Sequence, residues 1–284
     1  MKDFGSQVKY VDGNEGDVCN YNTRLDTYGC GCQHDCSYCY AKSLLEFRNL
    51  WNPKSPAIGD ISKISREIKK IPKGTVVRMG GMTDCFQPIE KLHRVTYKTI
   101  RLLNRRRIEY LIVTKSAMIA DDDYLQIMDK DLAHIQFTLT FTDDKQYKET
   151  DIEKATLPSK RIEAIEKLEA NGFDVCIRLS PYIPEFIDID TLNGIKCDKV
   201  LVEFLRVNHW IRKWLDGKCD LSEYTNNFHG YDHLPFDAKK AYIDKMGKTH
   251  TITVCDFEPA YLDFWKKEFN PNPDDCCNLR RNNV

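Results

Sequence analysis

The chain has 284 residues, of which 42% are hydrophobic and 30% charged, an ordinary globular composition that can bury a full core. Its net charge of −1 provides no argument from bulk charge for nucleic-acid binding, although it leaves room for a local basic patch. No apolar run is long enough to cross a membrane, and residues 1–16 are polar and acidic, so we expect a cytoplasmic protein without a membrane span or a signal peptide.

Strands and helices are predicted to alternate along most of the chain, from β-rich runs and from apolar residues at helical spacing. The predicted strands cover residues 75–79, 110–113, 135–140, 173–179, 199–204 and 251–255. The predicted helices cover residues 90–103, 121–128, 158–170, 238–245 and 259–269. Such alternation is typical of βαβ units, so we predict an α/β fold whose parallel sheet curls into a full or partial barrel.

Polar or glycine-rich segments follow nearly every predicted strand. In a barrel of parallel strands, the carboxyl ends of the strands form the active face. The segments are GGMTD at 80–84, TKS at 114–116, TFTD at 140–143, RLSP at 178–181 and EFLR at 203–206. We therefore expect a functional site at this end of the barrel.

Twelve cysteines are many for a chain without an export signal, and one group of them has a regular spacing. The segment YGCGCQHDCSYCYA, residues 28–41, contains C-x3-C-x2-C at Cys32, Cys36 and Cys39. Thiolates are the usual ligands of iron–sulfur clusters, and three of them on a tight loop can hold three irons of a cubane. The remaining iron then stays open, so that S-adenosylmethionine (SAM) can chelate it through its amino and carboxylate groups.

Zinc is the alternative metal for this motif, with His34 or Cys30 completing a tetrahedral set. However, no second ligand pair follows at zinc-finger distance, and the motif opens a long βα array rather than a small module. A zinc-stabilised binding protein without catalysis remains the alternative to an iron–sulfur enzyme.

The cysteine motif, with Tyr38 before its third cysteine, resembles the signature of the radical SAM superfamily. More narrowly, GCQHDCSYCYA resembles the spore photoproduct lyase-like branch. Three further segments share that resemblance in the family's order: MGGMTDCFQPIE at 79–90, LIVTKS at 111–116 and IRLSPYIP at 177–184. The resemblance implies a radical SAM enzyme of the lyase or modifying type.

The resemblance also implies how the chain is organised. It predicts a partial (βα)6 TIM-type barrel over residues 28–205, with the cluster in the loop after the first strand. An N-terminal extension, residues 1–27, precedes the barrel. A C-terminal α+β extension, residues 206–284, is expected to close the barrel and to contribute to the substrate site.

The resemblance further implies two cofactors, SAM and a [4Fe–4S] cluster held by Cys32, Cys36 and Cys39. It also implies a flavodoxin or ferredoxin type electron donor. Tyr38 is expected near the adenine of SAM, and Lys115 near its carboxylate. Met82 stands where the family usually has an acidic residue, so Thr83 and Asp84 are expected to supply polar contacts. The residues predicted to contact SAM are Tyr38, Gly80, Gly81, Met82, Thr83, Asp84, Lys115, Arg178 and Ser180.

The segment EFLRVNHWIRKW, residues 203–214, suggests a substrate. Cationic side chains beside aromatic ones are the ingredients of single-strand or flipped-base binding, so we predict a DNA or RNA substrate. The candidate substrate residues are Arg206, His209, Trp210 and Arg212. The structural alternative for this segment is an amphipathic helix with Trp210 and Trp214 in the core. The alternative for the substrate is a peptide or a small metabolite.

Several cysteines outside the motif are candidates for a second chemical role. In spore photoproduct lyases a cysteine returns a hydrogen atom to the substrate radical, and the resemblance extends this role to a cysteine here. The candidate hydrogen donors or redox cysteines are Cys85, Cys255, Cys276 and Cys277. The C-terminal cysteines are also interpreted as part of a second cluster with Cys219. Their surroundings do not resemble the lyase pattern.

Overall fold

The computed structural model describes residues 7–11 and 19–281. In this part of the chain the strands are β1 (Val8–Tyr10), β2 (Thr23–Leu25), β3 (Tyr28–Gly29), β4 (Ala57–Ile58), β5 (Val76–Met79), β6 (Glu109–Thr114), β7 (Ala133–Thr138), β8 (Asp174–Tyr182), β9 (Lys199–Phe204), β10 (Asn226–Phe228), β11 (Tyr231–His233) and β12 (Thr251–Val254).

The main sheet has the order β1-β2-β5-β6-β7-β8-β9-β12. All neighbours in it pair parallel except β1, which lies antiparallel against β2 at the edge. Two small antiparallel pairs, β3–β4 and β10–β11, stand outside the main sheet. A parallel sheet with helical crossovers confirms the predicted α/β fold of the partial TIM-barrel type.

The helices of the described residues connect these strands. They are α1 (Tyr40–Glu46), α2 (Ile61–Ile68), α3 (Glu90–His93), α4 (Val95–Arg105), α5 (Asp122–Ile127), α6 (Asp144–Thr150), α7 (Pro158–Ala170), α8 (Ile189–Gly194), α9 (His209–Trp214), α10 (Phe236–Lys245) and α11 (Pro259–Phe264). Short 3-10 turns cover Ala117–Ala120 and Pro184–Phe186, and a π-helical turn covers Trp265–Phe269. None of these helices combines the length and apolar character needed to cross a membrane.

The sheet extends beyond the predicted barrel segment on both sides. Strand β2 lies inside the predicted N-terminal extension, residues 1–27, of which residues 1–6 and 12–18 are outside the described residues. Strand β12 lies inside the predicted C-terminal extension and pairs parallel with β9. The C-terminal segment therefore contributes a strand to the main sheet.

The helix predicted over residues 90–103 is two helices, α3 and α4. The chain turns at Arg94, which has a left-handed backbone with φ 55°. The buried Glu90 carboxylate accepts hydrogen bonds from the backbone N–H groups of Thr96 and Tyr97, both at 2.9 Å. This capping by a carboxylate from the preceding helix is not visible in the apolar spacing, which therefore did not indicate the break.

Buried charges join the amino-terminal ends of four neighbouring strands. His134 Nδ1 lies 2.7 Å from Asp174 Oδ2, and His134 Nε2 lies 3.2 Å from Glu109 Oε2. Lys199 also pairs with Asp174, and Arg281 pairs with Glu109 at 2.8 Å. The network fixes the end of the sheet opposite the predicted active face.

The pKa of Asp174 supports a prediction about acid stability. Burial acts to raise this pKa, but the hydrogen bond to His134 and the Lys199 ammonium together hold it at about 2. A carboxyl with a depressed folded-state pKa stabilises the fold above its unfolded pKa of about 3.9, and that contribution is lost as the pH falls toward about 2. We expect Asp174→Asn to lower the free energy of unfolding by about 2–3 kcal/mol at neutral pH.

Chemical denaturation of wild type and Asp174→Asn across a pH series measures this effect. The difference between the two proteins should shrink as the pH falls from about 4 to about 2. A difference that stays constant over this range would show that the pKa of Asp174 is not depressed in the folded state.

Candidate active site

A cavity opens at the carboxyl ends of the parallel strands, where the sequence predicted the active face. It brings together side chains from segments that are far apart in the sequence. The predicted site residues that line it are Cys32, Cys36, Tyr38, Cys39, Gly80, Gly81, Met82, Thr83, Asp84, Lys115, Arg178, Ser180, Arg206 and Cys255.

The cysteine loop is held in two successive tight turns. The backbone N–H of Asp35 donates to the Cys32 carbonyl at 3.1 Å, and that of Cys39 donates to the Cys36 carbonyl at 3.2 Å. Asp35 has a left-handed backbone with φ 42°, and Cys39 is the N-cap residue of α1. These turns direct the three thiols of the motif into one cavity.

A second loop fastens the cysteine loop to the barrel. Ser37 N–H donates to the Ile152 carbonyl at 2.8 Å, and Lys154 N–H donates to the His34 carbonyl at 2.7 Å. On its other side, Gly31 has φ 152°, and a Cβ added there would lie 2.0 Å from the Asn52 carbonyl oxygen. The loop therefore requires glycine at residue 31 to pass this backbone.

Burial disfavours the ionised form of all three motif thiols. It raises the pKa of Cys32 to about 12, that of Cys36 well above its ordinary value, and that of Cys39 in the same direction. The thiols are also close enough for one thiolate to raise the pKa of another. Three converging soft donors that need a cation to ionise fit a bound iron–sulfur cluster.

The zinc alternative requires His34 or Cys30 as its fourth ligand. In the structure His34 Nδ1 faces Asp84 Oδ2 at 3.3 Å. Within the described residues, no three side chains of the cysteine, histidine, aspartate or glutamate type are grouped to hold a metal ion.

Asp84 is a positioning residue in this structure. Its carboxylate accepts hydrogen bonds from Thr114 Oγ1 and Lys115 N–H, both at 2.7 Å, and from Phe86 N–H at 2.8 Å, and it faces His34. Burial acts to raise the pKa of Asp84, but His34 and these hydrogen bonds hold it below its ordinary value. The carboxylate thus joins the cysteine loop to the ends of β5 and β6.

Thr83 and Met82 also contact the protein itself. Thr83 Oγ1 donates to the Tyr28 carbonyl at 2.7 Å, and Met82 N–H donates to Asp26 Oδ1 at 3.3 Å. Tyr40 OH donates to the Gly81 carbonyl at 2.6 Å. The segment after β5 is therefore fixed by hydrogen bonds, and its Gly80–Gly81 backbone lines the cavity.

Gly80 is the position in this segment where a side chain is excluded. Its φ is +87°, and an added Cβ would lie 2.3 Å from the Val113 carbonyl oxygen. Gly172 has a similar φ of +79°, but an added Cβ there would meet nothing within 4 Å. We expect Gly80→Ala to destabilise the protein by more than the ~1–2 kcal/mol of the left-handed backbone alone, and Gly172→Ala to show only that cost.

Urea denaturation of the two glycine variants measures the difference between their losses of stability. We also expect the affinity for SAM to fall in Gly80→Ala, because Gly80 and Val113 line the cavity and the added methyl group displaces them. Equal losses of stability in both variants would show that the close approach to Val113 is relieved without cost.

Lys115 lines the cavity. Its Nζ donates to Thr140 Oγ1 at 3.0 Å, and lies 3.7 Å from Glu153 Oε2 and 5.1 Å from the centre of the Tyr38 ring. Burial lowers the pKa of Lys115 to about 7. Glu153 was not predicted from the sequence, although it is fully buried beside both Lys115 and Cys36.

The structure pairs Arg178 and Ser180 with a carboxylate that sequence analysis missed. Arg178 forms an ion pair with Glu203, and Ser180 Oγ donates to Glu203 Oε2 at 2.8 Å. Burial acts to raise the pKa of Glu203, but Arg178 and Arg206 hold it at about 2. The position of Glu203 in the segment EFLR, at the end of a predicted strand, was the available signal.

Arg206 is surrounded by aromatic rings at the cavity wall. Its guanidinium carbon lies 3.5 Å from the centre of the Phe257 ring, 5.5 Å from that of Tyr231 and 5.8 Å from that of Tyr40. Glu203 interacts with it electrostatically. Arg206 therefore combines charge and stacking surface in the cavity.

The other predicted substrate residues, His209, Trp210 and Arg212, lie on helix α9, and none of the three lines the cavity. Ile211 is buried and lines the cavity. Trp210 is 41% exposed and packs against His209, and Arg212 pairs with Asp232 at 2.8 Å. The amphipathic-helix alternative thus describes α9, except that Trp210 faces solvent.

The candidate redox cysteines occupy different places. Cys85 is buried in the main hydrophobic core, and only Cys255 lines the cavity among the four candidates. Cys276 and Cys277 are buried in a second hydrophobic cluster, against which Cys255 packs. A hydrogen bond from Cys276, and the nearby Arg178, lower the pKa of Cys277 to about 7 although burial opposes this shift.

A family model for the radical SAM superfamily matches residues 27–193, more than half of the chain. The chain therefore belongs to the radical SAM superfamily. As a member of this superfamily it has a [4Fe–4S] cluster and S-adenosylmethionine as its cofactors.

Individual proteins resemble the chain in sequence or in fold. An uncharacterised protein of Methanocaldococcus jannaschii is 31% identical over 171 residues, which cover 58% of this chain and 62% of that protein. Spore photoproduct lyase complexed with dinucleoside spore photoproduct has a TM-score of 0.63 at 16% identity, covering 87% of this chain and 79% of the lyase. Streptococcus suis SuiB bound to S-adenosylmethionine has a TM-score of 0.52 at 13% identity, covering 87% of this chain and 55% of SuiB. At these identities, the structural likeness shows the fold alone.

Proposed function

We propose that Cys32, Cys36 and Cys39 hold the [4Fe–4S] cluster and that the enzyme acts on a nucleic-acid base, as a repair lyase or a base-modifying enzyme. When bound, the cluster and SAM supply a 5′-deoxyadenosyl radical that abstracts a hydrogen atom from the substrate. A flavodoxin or ferredoxin type protein delivers the electron. The protein's own task is to orient SAM and substrate and to exclude water.

The SAM site in this proposal uses the ends of β5, β6 and β8. The Gly80–Gly81 backbone lets the methionine end of SAM approach closely, and Tyr38 packs near the adenine. Lys115 faces the carboxylate of SAM. Arg178 and Ser180 act through Glu203, because Arg178 forms an ion pair with that carboxylate and Ser180 donates a hydrogen bond to it. The Glu203 carboxylate then accepts a further hydrogen bond from a hydroxyl group such as those of ribose.

The charge of the cavity supports an anionic substrate. Four arginines line it, whereas its carboxylates are Asp84 and Glu203. The observation that carries the proposal is Arg206, whose guanidinium is held among three aromatic rings in the cavity wall. Cationic groups beside stacking surfaces are how proteins bind phosphates and unpaired bases.

The C-terminal segment completes the substrate site in this proposal. We assign residues 28–205 to the radical SAM barrel and residues 206–284 to an extension that closes its mouth. Arg206, Cys255 and Phe257 all line the cavity from that extension. The lyase with the similar fold is complexed with dinucleoside spore photoproduct, which agrees with a nucleic-acid substrate.

Formation of 5′-deoxyadenosine tests the proposal. The reconstituted enzyme is given SAM and dithionite, without and with ultraviolet-irradiated DNA, unirradiated DNA or RNA oligonucleotides. We expect one nucleic acid to stimulate product formation, with a binding affinity that falls as salt rises. In Arg206→Ala, oligonucleotide affinity should fall by about tenfold or more, whereas basal cleavage of SAM should persist.

Arg212→Ala is the matched control, because this arginine pairs with Asp232 away from the cavity. It should leave the stimulation unchanged. If nucleic acids neither bind nor stimulate, but a peptide or small-metabolite fraction does, the substrate assignment fails and the radical SAM class stands.

A further inference from the structure

Five of the twelve cysteines pack together inside the curve of the main sheet, in a group that we call the floor cluster. Its buried residues are Tyr21, Val76, Leu111, Cys176, Leu201, Cys276 and Cys277, and its half-buried residues are Cys19, Val113, Cys255 and Leu279. Val76 and Cys176 precede the cavity-lining Arg78 and Arg178 by two residues on the same strands, so they share the cavity's face of the sheet. Cys19 and Cys255 also line the cavity itself.

The C-terminal tail is anchored so that it places Cys276 and Cys277 in the floor cluster. Asp275 accepts from Tyr21 OH at 2.7 Å, and Lys199 Nζ donates to the Asn278 carbonyl at 3.0 Å. Arg281 pairs with Glu109, the first residue of β6. A tail held by this many polar contacts carries its two cysteines to a defined position in the barrel.

Cationic side chains surround these sulfurs. Arg178 is close enough to interact electrostatically with Cys255, Cys276 and Cys277, and Arg78 with Cys19 and Cys277. Arg78 Nε is buried without a hydrogen-bond acceptor among the described residues. Guanidinium groups beside several thiols provide the positive charge that a thiolate-ligated cluster needs in a buried site.

The thiols converge from separate parts of the chain. Cys19 precedes β2, Cys255 follows β12, and Cys276 lies within hydrogen-bond reach of both Cys255 and Cys277. A set made up of cysteine thiols fits an iron–sulfur cluster, because thiolates are the usual ligands of such clusters.

We propose that Cys19, Cys255 and the Cys276–Cys277 pair hold a second iron–sulfur cluster at the floor of the cavity. Cys176 is left out of the proposed ligand set; it lies within strand β8, where its thiol donates to the Ile177 carbonyl at 3.4 Å. The site would place a second redox group against the wall of the substrate cavity. The proposal does not depend on the identity of the substrate.

A variant without the motif thiols tests the second site directly. Cys32→Ala, Cys36→Ala and Cys39→Ala are combined, and the purified protein is reconstituted with iron and sulfide under anaerobic conditions. We expect about two or about four irons to remain per chain, according to cluster type, with matching sulfide and a paramagnetic resonance signal after reduction by dithionite.

Further substitutions in that background identify the ligands. Adding Cys255→Ala or Cys277→Ala should remove the residual iron and the signal, whereas Cys176→Ala, from the same floor cluster, should retain both. A folded triple variant that binds no iron overturns the proposal. So does residual iron that survives Cys255→Ala together with Cys277→Ala, or wild-type protein with only about four irons.

Alkylation of the wild-type protein gives a second measurement that does not need the variants to fold. Cys255 and Cys277 should be protected from iodoacetamide before chelation of iron and become reactive after it. Equal reactivity before and after chelation contradicts the proposal, and a disulfide between these residues in the purified protein would replace it.

Discussion

Replacing Arg161 by alanine is expected to lower the free energy of unfolding by about 3–5 kcal/mol, since it leaves a buried carboxylate without its main partner. Arg161 pairs with Glu153, and both side chains are fully buried. The guanidinium also donates to the Thr156 carbonyl at 2.6 Å and to the Thr138 carbonyl at 3.3 Å. Alanine therefore removes one charge and three donated hydrogen bonds at once.

Urea denaturation of the cluster-free protein measures this loss, and the neighbouring Lys160→Ala provides the control. Lys160 pairs with Glu163 on the exposed face of the same helix, where an ion pair contributes about 0–1 kcal/mol. Similar losses of unfolding free energy in Arg161→Ala and Lys160→Ala would show that the buried pair does not stabilise the fold more than the exposed pair does.

Arg161→Ala is also expected to weaken the hold on the cluster. Glu153 lies in the loop that binds the cysteine loop through Ile152 and Lys154, and its Oε2 is 3.9 Å from Cys36 Sγ. Without Arg161, the charge of Glu153 opposes ionisation of Cys36 more strongly. Iron content after gel filtration should fall in Arg161→Ala and stay at the wild-type value in Lys160→Ala.

Cys36→Ala is expected to abolish the cleavage of SAM. Each motif thiol supplies one iron ligand in the proposed site, and the loop positions the other two by turns on either side of Cys36. Two thiols cannot hold the cluster with one open iron. The measurement is 5′-deoxyadenosine formed from SAM and dithionite, together with iron and sulfide content.

Cys219→Ala is the control for loss of a thiol. Cys219 is half-buried and packs against the main hydrophobic core. This variant should retain wild-type iron content and SAM cleavage, and circular dichroism should show both variants folded. Undiminished 5′-deoxyadenosine formation by a folded Cys36→Ala would disprove the assignment of the motif.

Local patterns in the sequence were sufficient for some elements and insufficient for others. The strand predicted over residues 199–204 and the helix predicted over residues 158–170 agree with β9 and α7. Their apolar periodicity is clear, and Pro158 and Asn171 bound the helix. The break at Arg94 was not predicted, because the buried Glu90 caps α4 through contacts that spacing does not report.

The same division applies to the candidate site. The turns that gather Cys32, Cys36 and Cys39 are local, so the sequence indicated their common role. The prediction that Arg178 and Ser180 face SAM could not include Glu203, which is about 25 residues away and meets them only because β8 and β9 pair. Cys85 was predicted as a hydrogen donor or redox cysteine, and the structure places it in the main hydrophobic core.

The sequence by itself determined the alternation of strands and helices, the cysteine loop and the membership of the radical SAM superfamily, because these depend on spacing within short segments. The tertiary structure decided which polar groups are already paired, which face of α9 meets the cavity and where the C-terminal cysteines lie. Those outcomes depend on contacts between residues such as Tyr21 and Asp275, which are 254 positions apart. Only folding of the whole chain brings such groups within the few ångströms over which hydrogen bonds and ion pairs act.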